Sequence, residues 1–231
     1  MDEYRELKLY DHLLQFQLFQ GMSQNELLQL AGNTRFGFRK VQAGQQIVGD
    51  GDDGKLLFFL ISGQIRVDTS SDDHSYRVSE WLTAPWLVQP EALFGATPRF
   101  TQTVTTHSDS HFITLSKDEV LRLQDDFLIF RLNLLNLLAT QSQRRGRSSW
   151  RRSPRTLEER IVRFFTSHVV YPAGKKEIRI LMEQLAKEVV DTRLNVSRVL
   201  NSMQYRGLVT LHRGRIVIPM LEQMFMSGNL Y

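Results

Sequence analysis

Between residues 35 and 115, short runs of β-branched and aromatic residues alternate with clusters of turn residues. The clusters include Gly49–Gly54 and Ser70–Asp73, which separate neighbouring runs. Many short strands at roughly even spacing are typical of a β-barrel or a jelly roll. The strands that this pattern predicts cover residues 35–38, 46–48, 56–61, 64–67, 76–78, 102–105 and 111–115.

Capping boxes predict where helices begin on both sides of the strand region. A serine or threonine stands three residues before a glutamate at Ser23, Ser116 and Thr156, where its side chain can accept a backbone N–H of the first helical turn. The sequence therefore predicts a helical segment over residues 7–33 with a new helix from Ser23, and further helices from Ser116 and Thr156.

A long helical pattern begins at Asp126 and runs to about Gln143, which predicts a helix roughly 27 Å long at 1.5 Å per residue. Its apolar surface is wider than one packing contact needs. We expect one face to pack on the barrel and the other on a second copy of the chain; complete burial within a monomer is the alternative. The arginine-rich segment 144–155 breaks the pattern, and we interpret it as a hinge that also contacts phosphate.

The charge of the chain is divided unequally between its two ends. Residues 1–143 hold 12 Lys and Arg against 18 Asp and Glu, a formal charge of −6, whereas residues 144–231 hold 17 against 7, or +10. Compact basic domains most often bind nucleic acid, although a solvated basic surface gives the same count. The formal net charge of +4 conceals this division.

Composition excludes several classes of protein. Cysteine is absent, which excludes disulfides, thiolate zinc sites, cysteine-ligated iron–sulfur clusters and cysteine nucleophiles. His107 and His111 form the only close histidine pair, and four residues along a strand they lie about 13 Å apart, too far to share a metal. A cupin-type metalloenzyme therefore does not fit. The sequence contains no run of eighteen apolar residues, so no membrane span is predicted. The acidic N-terminus does not resemble a secretory signal.

The C-terminal third has the pattern of a helix–turn–helix followed by two strands. The predicted helices cover residues 181–189 and Thr192–Tyr205, and the second ends before Gly207. Strands at 208–211 and 215–218 flank a tight turn with Arg213 and Arg215 at its tip. The polar face of the second helix carries side chains that can read bases, namely Thr192, Arg193, Asn195, Ser197, Arg198 and Asn201. An ordinary helical hairpin with a solvated polar face is the alternative.

Three groups of residues carry a resemblance to a known family: Leu18–Ser23 with Glu26-Leu27, Leu57–Val67 after Gly44 and Gly51-Asp52, and Val196–Leu200 with Gly207–Val209. Across nearly the whole chain, the sequence resembles the cyclic AMP receptor protein / FNR (Crp/Fnr) superfamily of bacterial transcription regulators. The resemblance implies an α+β fold with an effector-type β-roll (jelly roll) of the cyclic-nucleotide-binding type at 1–115. It implies a dimerisation helix and hinge at 116–147, and a winged helix–turn–helix at 148–231. It also implies a homodimer on a twofold-symmetric operator with half-sites roughly 34 Å apart.

The resemblance further assigns roles along the second helix. It places Thr192 at a phosphate-contacting position and Arg193 and Arg198 at base-reading positions. Leu194 stands where well-known members carry a base-contacting glutamate, so their operator sequence does not transfer to this chain. An apolar side chain at that position can contact a thymine methyl group.

The expected effector cassette is only partly present. Glu91, Arg99 and Thr101 have the chemistry by which the family binds a cyclic nucleotide, through ribose hydroxyl and phosphate. However, Pro90 replaces a glycine and removes a backbone donor, and the spacing from Glu91 to Arg99 is short. The nearest candidates for the hydroxyl pair on the long helix are Thr140 and Ser142. A different effector, or none, is therefore favoured over a cyclic nucleotide, and no cofactor is expected to be required.

These observations predict a dimeric, sequence-specific DNA-binding transcription regulator rather than an enzyme. Its expected partners are double-stranded DNA, a second copy of the chain through the helix around Asp126–Gln143, and RNA polymerase. We expect no membrane association and a cytoplasmic location. The alternative is a cyclic-nucleotide-binding regulatory module that acts on a protein partner and has no DNA affinity.

Overall fold

The computed structural model of the chain describes residues 9–150 and 152–226. Residues 1–8, Arg151 and residues 227–231, which the predicted domains include, lie outside the described part. The chain forms two compact units: Met1–Ile65 with Leu82–Thr101 and Thr105–Trp150, and Arg66–Trp81 with Gln102–Val104 and Arg151–Tyr231. The domain boundaries predicted from sequence remain a prediction, but residues 66–81 cluster with the C-terminal third of the chain.

The elements up to residue 150 begin with helical turns and continue as short strands. Residues 9–13 are helical, a 3₁₀ turn covers Gln17–Phe19, and helix α1 covers Gln24–Asn33. The strands are β1 Gly37–Val41, β2 Gln46–Val48, β3 Leu56–Ser62, β4 Gln64–Ser70, β5 Tyr76–Thr83, β6 Trp86–Val88, β7 Thr103–Thr106 and β8 Ser110–Ser116. Two helices follow, α2 at Lys117–Asp126 and α3 at Leu128–Ser149. The sequence pattern missed only β6 among these strands.

The core of the first unit forms where an antiparallel sheet meets the helices. The sheet has the order β1-β8-β3-β6, and β3 is a nearly continuous apolar run because both of its faces are covered. The rings of Phe19 and Phe130 contact each other with their centroids 5.5 Å apart, and the centroid of the Phe19 ring lies 5.7 Å from that of Phe59. Asn133 of α3 donates to the carbonyl oxygens of Leu18 and Gln20. These contacts fix α3 on its own unit.

The helix starts follow the predicted capping boxes. The Ser23 hydroxyl accepts the Glu26 backbone N–H, while the Glu26 carboxylate accepts the Ser23 backbone N–H. Ser116 and Thr156 likewise accept the N–H three residues on. The predicted helix starts are confirmed, but in the described residues only Ser23 forms the reciprocal box. The Glu119 carboxylate instead accepts from Arg35 and Arg122, and the Glu159 carboxylate accepts the Arg155 backbone N–H.

The end of α3 differs from the prediction. We expected the helix to stop near Gln143 and the arginines from Arg144 onward to form a hinge, which is wrong, because the helix continues to Ser149. Arginine is a good helix former, and the single Gly146 is tolerated within a helix whose other residues favour that conformation. The arginines at 144, 145 and 147 are therefore helical.

The second unit is a winged helix–turn–helix with a longer sheet than the sequence predicted. Its elements are α4 Leu157–Ser167, β9 Lys176–Ile180, α5 Met182–Glu188, α6 Arg193–Tyr205, β10 Thr210–His212, β11 Arg215–Ile218 and α7 Gln223–Met226. Strands β10, β11, β9, β5 and β4 are neighbours in that order. The sequence pattern missed β9. The apolar core of the second unit contains Ile161 and Phe165 of α4, Ile178 of β9 and Leu200 of α6.

The predicted fold class is confirmed. The chain is α+β, its strands pair antiparallel, and it combines a β-roll, a long helix and a winged helix–turn–helix. None of the helices in the described ranges is long and apolar enough to cross a membrane.

Candidate functional site

Helices α5 and α6 form the helix–turn–helix. Leu185 and Ala186 of α5 are buried against α6, and the small Ala186 allows the two helices to approach closely. The turn between them contains Val190, which adopts φ = 52° in the left-handed region. Burial of Val196 and Leu200 fixes which face of α6 points into the core. The opposite face is therefore presented to solvent.

The N-terminus of α6 is held by its own side chains. The Thr192 hydroxyl accepts the Asn195 backbone N–H at 3.2 Å. The Asp191 carboxylate accepts the Asn195 side-chain amide at 2.9 Å and the Thr192 backbone N–H at 2.8 Å, and it is paired with Arg160. The bond from the Asn195 amide is the main cause that holds the pKa of Asp191 below its usual value. In this state the Asn195 side chain orders the helix start and is not free to read a base.

The other predicted base-reading residues lie on the solvent face of α6. Arg198 and Asn201 are exposed, and neither forms a hydrogen bond or ion pair with any residue in the described ranges. Leu194 is 67% exposed, which is unusual for a leucine in a folded domain. Arg193 lies 3.6 Å from the Glu183 carboxylate, and both side chains are largely in solvent. Ser197 is half-buried beside them.

The end of α6 leads directly into the β10–β11 hairpin. Gly207 adopts φ = 76° and closes the helix with a Schellman motif, in which the backbone N–H of Leu208 donates to the Met203 carbonyl oxygen. The Gln204 side chain accepts the Leu211 backbone N–H at 2.7 Å, which ties the helix to β10. The wing therefore has a fixed connection to α6.

The hairpin tip carries the two predicted wing arginines. Gly214 adopts φ = 67° in the tight turn, beside the exposed Arg213. Arg215 lies 3.7 Å from the Glu177 carboxylate of β9. A cavity of about 300 Å³ is lined by Arg193, Arg213 and Arg215 together with apolar side chains. The structure thus brings the helix arginine and both wing arginines to one opening.

The predicted effector residues do not converge on a shared ligand position. Glu91, in a 3₁₀ turn over Pro90–Leu93, pairs with Arg145 of α3 at 2.9 Å. Arg99 instead donates to the Gly51 carbonyl oxygen at 2.7 Å and lies 3.8 Å from Asp53. Each side chain is therefore engaged by a different part of the chain.

Of the other cassette residues, Thr101 is held by an internal contact, whereas Thr140 and Ser142 are exposed to solvent. Thr101 accepts the Gln89 side-chain amide at 2.8 Å. Thr140 and Ser142 are exposed on α3, and the residue of that helix that reaches Glu91 is Arg145. Sequence reasoning missed Arg145, because the arginine was assigned to a hinge.

The described residues contain no group of three or more histidine, aspartate or glutamate side chains that could hold a metal ion. His111 is exposed at the start of β8, and His107 is exposed in the turn before it. The structure therefore offers no protein-built metal centre in the described ranges.

Comparison with known proteins identifies the type of domain formed by residues 38–127. Residues 38–127 match the family model of the cyclic nucleotide-binding domain. No curated protein matches the sequence.

Solved structures that are similar to this chain include three bacterial proteins. One from Eubacterium rectale, described as a transcriptional regulator of the Crp/Fnr family, is 21% identical, with coverage of 91% of this chain and 97% of that one and a TM-score of 0.50. The sensor domain of the transcriptional regulator DNR from Pseudomonas aeruginosa is 20% identical, over 61% and 93%, with a TM-score of 0.52. The catabolite activator protein of Thermus thermophilus is 20% identical, over 90% and 96%, with a TM-score of 0.49.

Proposed function

The chain has the Crp/Fnr regulator fold with a cyclic nucleotide-binding domain at residues 38–127, and from this premise we propose that it is a dimeric, sequence-specific DNA-binding transcription regulator. The observation that carries the proposal is the solvent face of α6, where the unpaired Arg198 lies on the same unit as Arg213 and Arg215 of the wing. A major groove admits an α-helix, and arginine pairs with guanine through two hydrogen bonds.

The site residues divide into three roles in this proposal. Arg193, Arg198 and Asn201 read base edges, and Leu194 contacts a thymine methyl group. Thr192 and Ser197 contact the backbone or bases beside it, and the wing residues Arg213 and Arg215 contact phosphate. Asn195 orders the helix start in the free protein through its hydrogen bond to Asp191, and it exchanges this bond for a contact with DNA in the complex.

The dimer rests on the uncovered face of α3. Leu128, Leu132 and Leu135 follow one stripe at spacings of four and three residues and are each about half exposed. A second copy of the same helix is the occupant that we propose, because a self-complementary leucine stripe is what a twofold coiled-coil contact requires. Two copies of α6 would then read two half-sites.

The experiment that tests the function is selection of genomic DNA. Sheared genomic fragments are incubated with the purified protein, and the bound fragments are sequenced and footprinted. We expect a twofold-symmetric site whose half-sites are roughly 34 Å apart. Enrichment of no sequence over input DNA would contradict the proposal.

We propose that the cassette does not accept a cyclic nucleotide in this chain. Arg99 would have to leave its contacts with Gly51 and Asp53, one oxygen of Glu91 is already paired with Arg145, and Pro90 offers no backbone donor to a phosphate. Calorimetry with cyclic AMP and cyclic GMP at millimolar concentration is therefore expected to detect no binding. The Arg145→Ala variant, which frees Glu91, is the matched comparison, and saturable binding to the wild-type protein would overturn this part.

The alternative function is a cyclic-nucleotide module that controls a protein partner. The two experiments separate the functions, because the alternative requires nucleotide binding without DNA selection. Under our proposal the protein is not an enzyme, its partners are DNA, a second copy and RNA polymerase, and it acts in the cytoplasm, where its DNA is.

A further inference from the structure

The hairpin β4–β5 belongs to the same compact unit as the winged helix, although it precedes it by about 100 residues in sequence. Strand β5 pairs antiparallel with β9 over five residues, from Tyr76 opposite Ile180 to Glu80 opposite Lys176. Val78 of the hairpin lies in one apolar core with Ile178 and Ile180. The hairpin therefore extends the sheet of the winged helix.

A fully buried ion pair closes one end of this ladder. Lys176 and Glu80 are 0% and 1% exposed, and the Lys176 ammonium lies 2.9 Å from the Glu80 carboxylate. The same carboxylate accepts the backbone N–H groups of Val170 and Tyr171, at 2.7 and 3.1 Å. Two backbone N–H groups and one ammonium of the winged helix thus converge on one hairpin carboxylate, and this is the only ion pair of Lys176 among the described residues.

Further contacts flank the ladder on both sides of the pair. The Tyr76 hydroxyl lies 3.0 Å from Nε2 of His168, and the two rings meet edge to face. At the other end, the Lys175 ammonium lies over the Trp81 ring, 4.5 Å from its centroid. The contact is continuous along the whole length of β5 in the ladder.

The other face of the same ladder contains one pair of like charges. Arg77 stands directly opposite Arg179, and like charges in this cross-strand position oppose pairing. Arg179 is partly neutralised by Glu177, a residue that also lies 3.7 Å from Arg215 of the wing. Attraction between Lys176 and Glu80 on one face is therefore opposed by one like-charged pair on the other.

Strand β9 joins this hairpin to the wing. Its other edge pairs with β11, with Arg215 opposite Arg179 and Ile216 opposite Ile178. If β5 leaves, β9 becomes an edge strand and Lys176 loses its carboxylate partner. Both charges then become hydrated, and this hydration offsets part of the lost attraction. Separating the hairpin therefore costs less free energy than separating an apolar contact of the same area.

We propose that the hairpin of residues 66–81 is a latch on the DNA-binding unit, whose docking on β9 orders the wing and thereby sets DNA affinity. The effect of the latch on DNA affinity rests on the proposed DNA-binding function. The docking of the hairpin on β9 rests only on the ladder and the buried ion pair. Since these residues fall within the predicted effector domain, the latch gives that segment direct control over the wing.

The test uses the absence of cysteine, because two introduced cysteines can form only one intramolecular disulfide. In the full chain, Glu80→Gln removes the charge partner of Lys176, and Arg77→Cys with Arg179→Cys allows the hairpin to be tied to β9. Directly opposed residues of antiparallel strands lie about 4.5–5.5 Å apart at Cα, within the range of a disulfide. The cysteine pair with Glu80 retained is the matched control, since it carries the same loss of two arginines.

Two quantities are measured in each protein, oxidised and reduced: amide hydrogen exchange of residues 176–180 and 210–218, and affinity for a selected DNA site. In the reduced Glu80→Gln protein we expect faster exchange in β9 and the wing together and about tenfold weaker DNA binding, because the competent fraction falls by that factor. Oxidation should restore both to the values of the oxidised control.

Any of three results would overturn the latch. The first is a Glu80→Gln protein whose wing amides exchange as slowly as those of the control. The second is a wing that exchanges faster while DNA affinity is unchanged, and the third is an affinity that oxidation does not restore. If the control itself binds no DNA, the proposed function fails, and the exchange data decide the docking half independently.

Discussion

At the scale of single residues, the turn between α5 and α6 contains a valine whose backbone is strained. Val190 is 83% exposed and adopts φ = 52°, a region that disfavours a β-branched residue. Val190→Asn should raise the free energy of unfolding by about 0.5–1 kcal/mol, because asparagine tolerates this conformation and little packing is lost. Thermal and urea unfolding measure the change.

Val190→Ala is the control for that substitution, since it removes the β-branch but keeps an unfavourable left-handed alanine. We expect it to change stability less than asparagine does. A Val190→Asn protein less stable than wild type would show that the valine side chain is held by packing rather than merely tolerated.

The roles of the exposed arginines can be separated by comparing sites of different sequence. Arg198→Ala should weaken binding to the selected site by about 1–3 kcal/mol and relax the preference at one base pair, because it removes a base contact. Arg213→Ala should weaken binding to all sequences alike and reduce the salt slope by about one contact. Binding to a set of single-base operator variants measures both, and identical behaviour of the two proteins would contradict these assignments.

At the scale of elements, one glycine allows the cassette turn to pack against the start of β3. A Cβ at Gly54 would lie 1.8 Å from the Ala92 carbonyl oxygen, whereas a Cβ at Gly32 of α1 meets nothing within 4 Å. Gly54→Ala should therefore reduce stability by about 1–3 kcal/mol or more, because backbone must move.

Gly32→Ala serves as the control, since alanine in an open helical position stabilises by about 0.5–1 kcal/mol. Urea unfolding of both variants gives the comparison. Equal stabilities for the two would mean that the turn over Pro90–Leu93 does not pack tightly on Gly54.

The leucine stripe of α3 predicts the oligomeric state. Leu135→Glu places a charge in the centre of the proposed contact and should convert a dimer into a monomer. Affinity for the symmetric DNA site should then fall by about 100-fold or more, because two linked helices no longer bind together. Analytical ultracentrifugation and DNA binding measure the two effects.

The control is Leu28→Glu, the same substitution at an exposed leucine of α1. It should leave the oligomeric state unchanged. A wild-type protein that sediments as a monomer at all concentrations, or a Leu135→Glu protein that remains dimeric, would contradict the assignment of this face.

At the scale of the whole molecule, sequence patterns predicted the parts that depend on local chemistry. The capping serines, the helix–turn–helix and the Gly207 helix end follow from neighbours within a few residues. The sequence did not predict β9, whose Lys176 is buried only because Glu80 lies opposite it, 96 positions away in the chain. Nor did it predict that Arg145 would reach Glu91, since no local signal distinguishes a helical arginine from one in a hinge.

The unequal distribution of charge between the two ends of the chain is also explained at the scale of the whole molecule. The basic third of the sequence folds around α6 and the wing, and Arg193, Arg213 and Arg215 share one opening there. Such a surface binds DNA chiefly by releasing counterions from phosphates. If this unit holds a DNA backbone, its affinity for DNA should therefore fall steeply with salt concentration.

The most direct test is the affinity of the wild-type protein for its selected DNA site at 50 and 200 mM salt. A regulator with about 6–10 phosphate contacts should lose roughly 10³–10⁵ in affinity over this range, with a linear dependence of log K on log salt concentration. An affinity that stays the same at both salt concentrations, or no binding at either, would contradict the account.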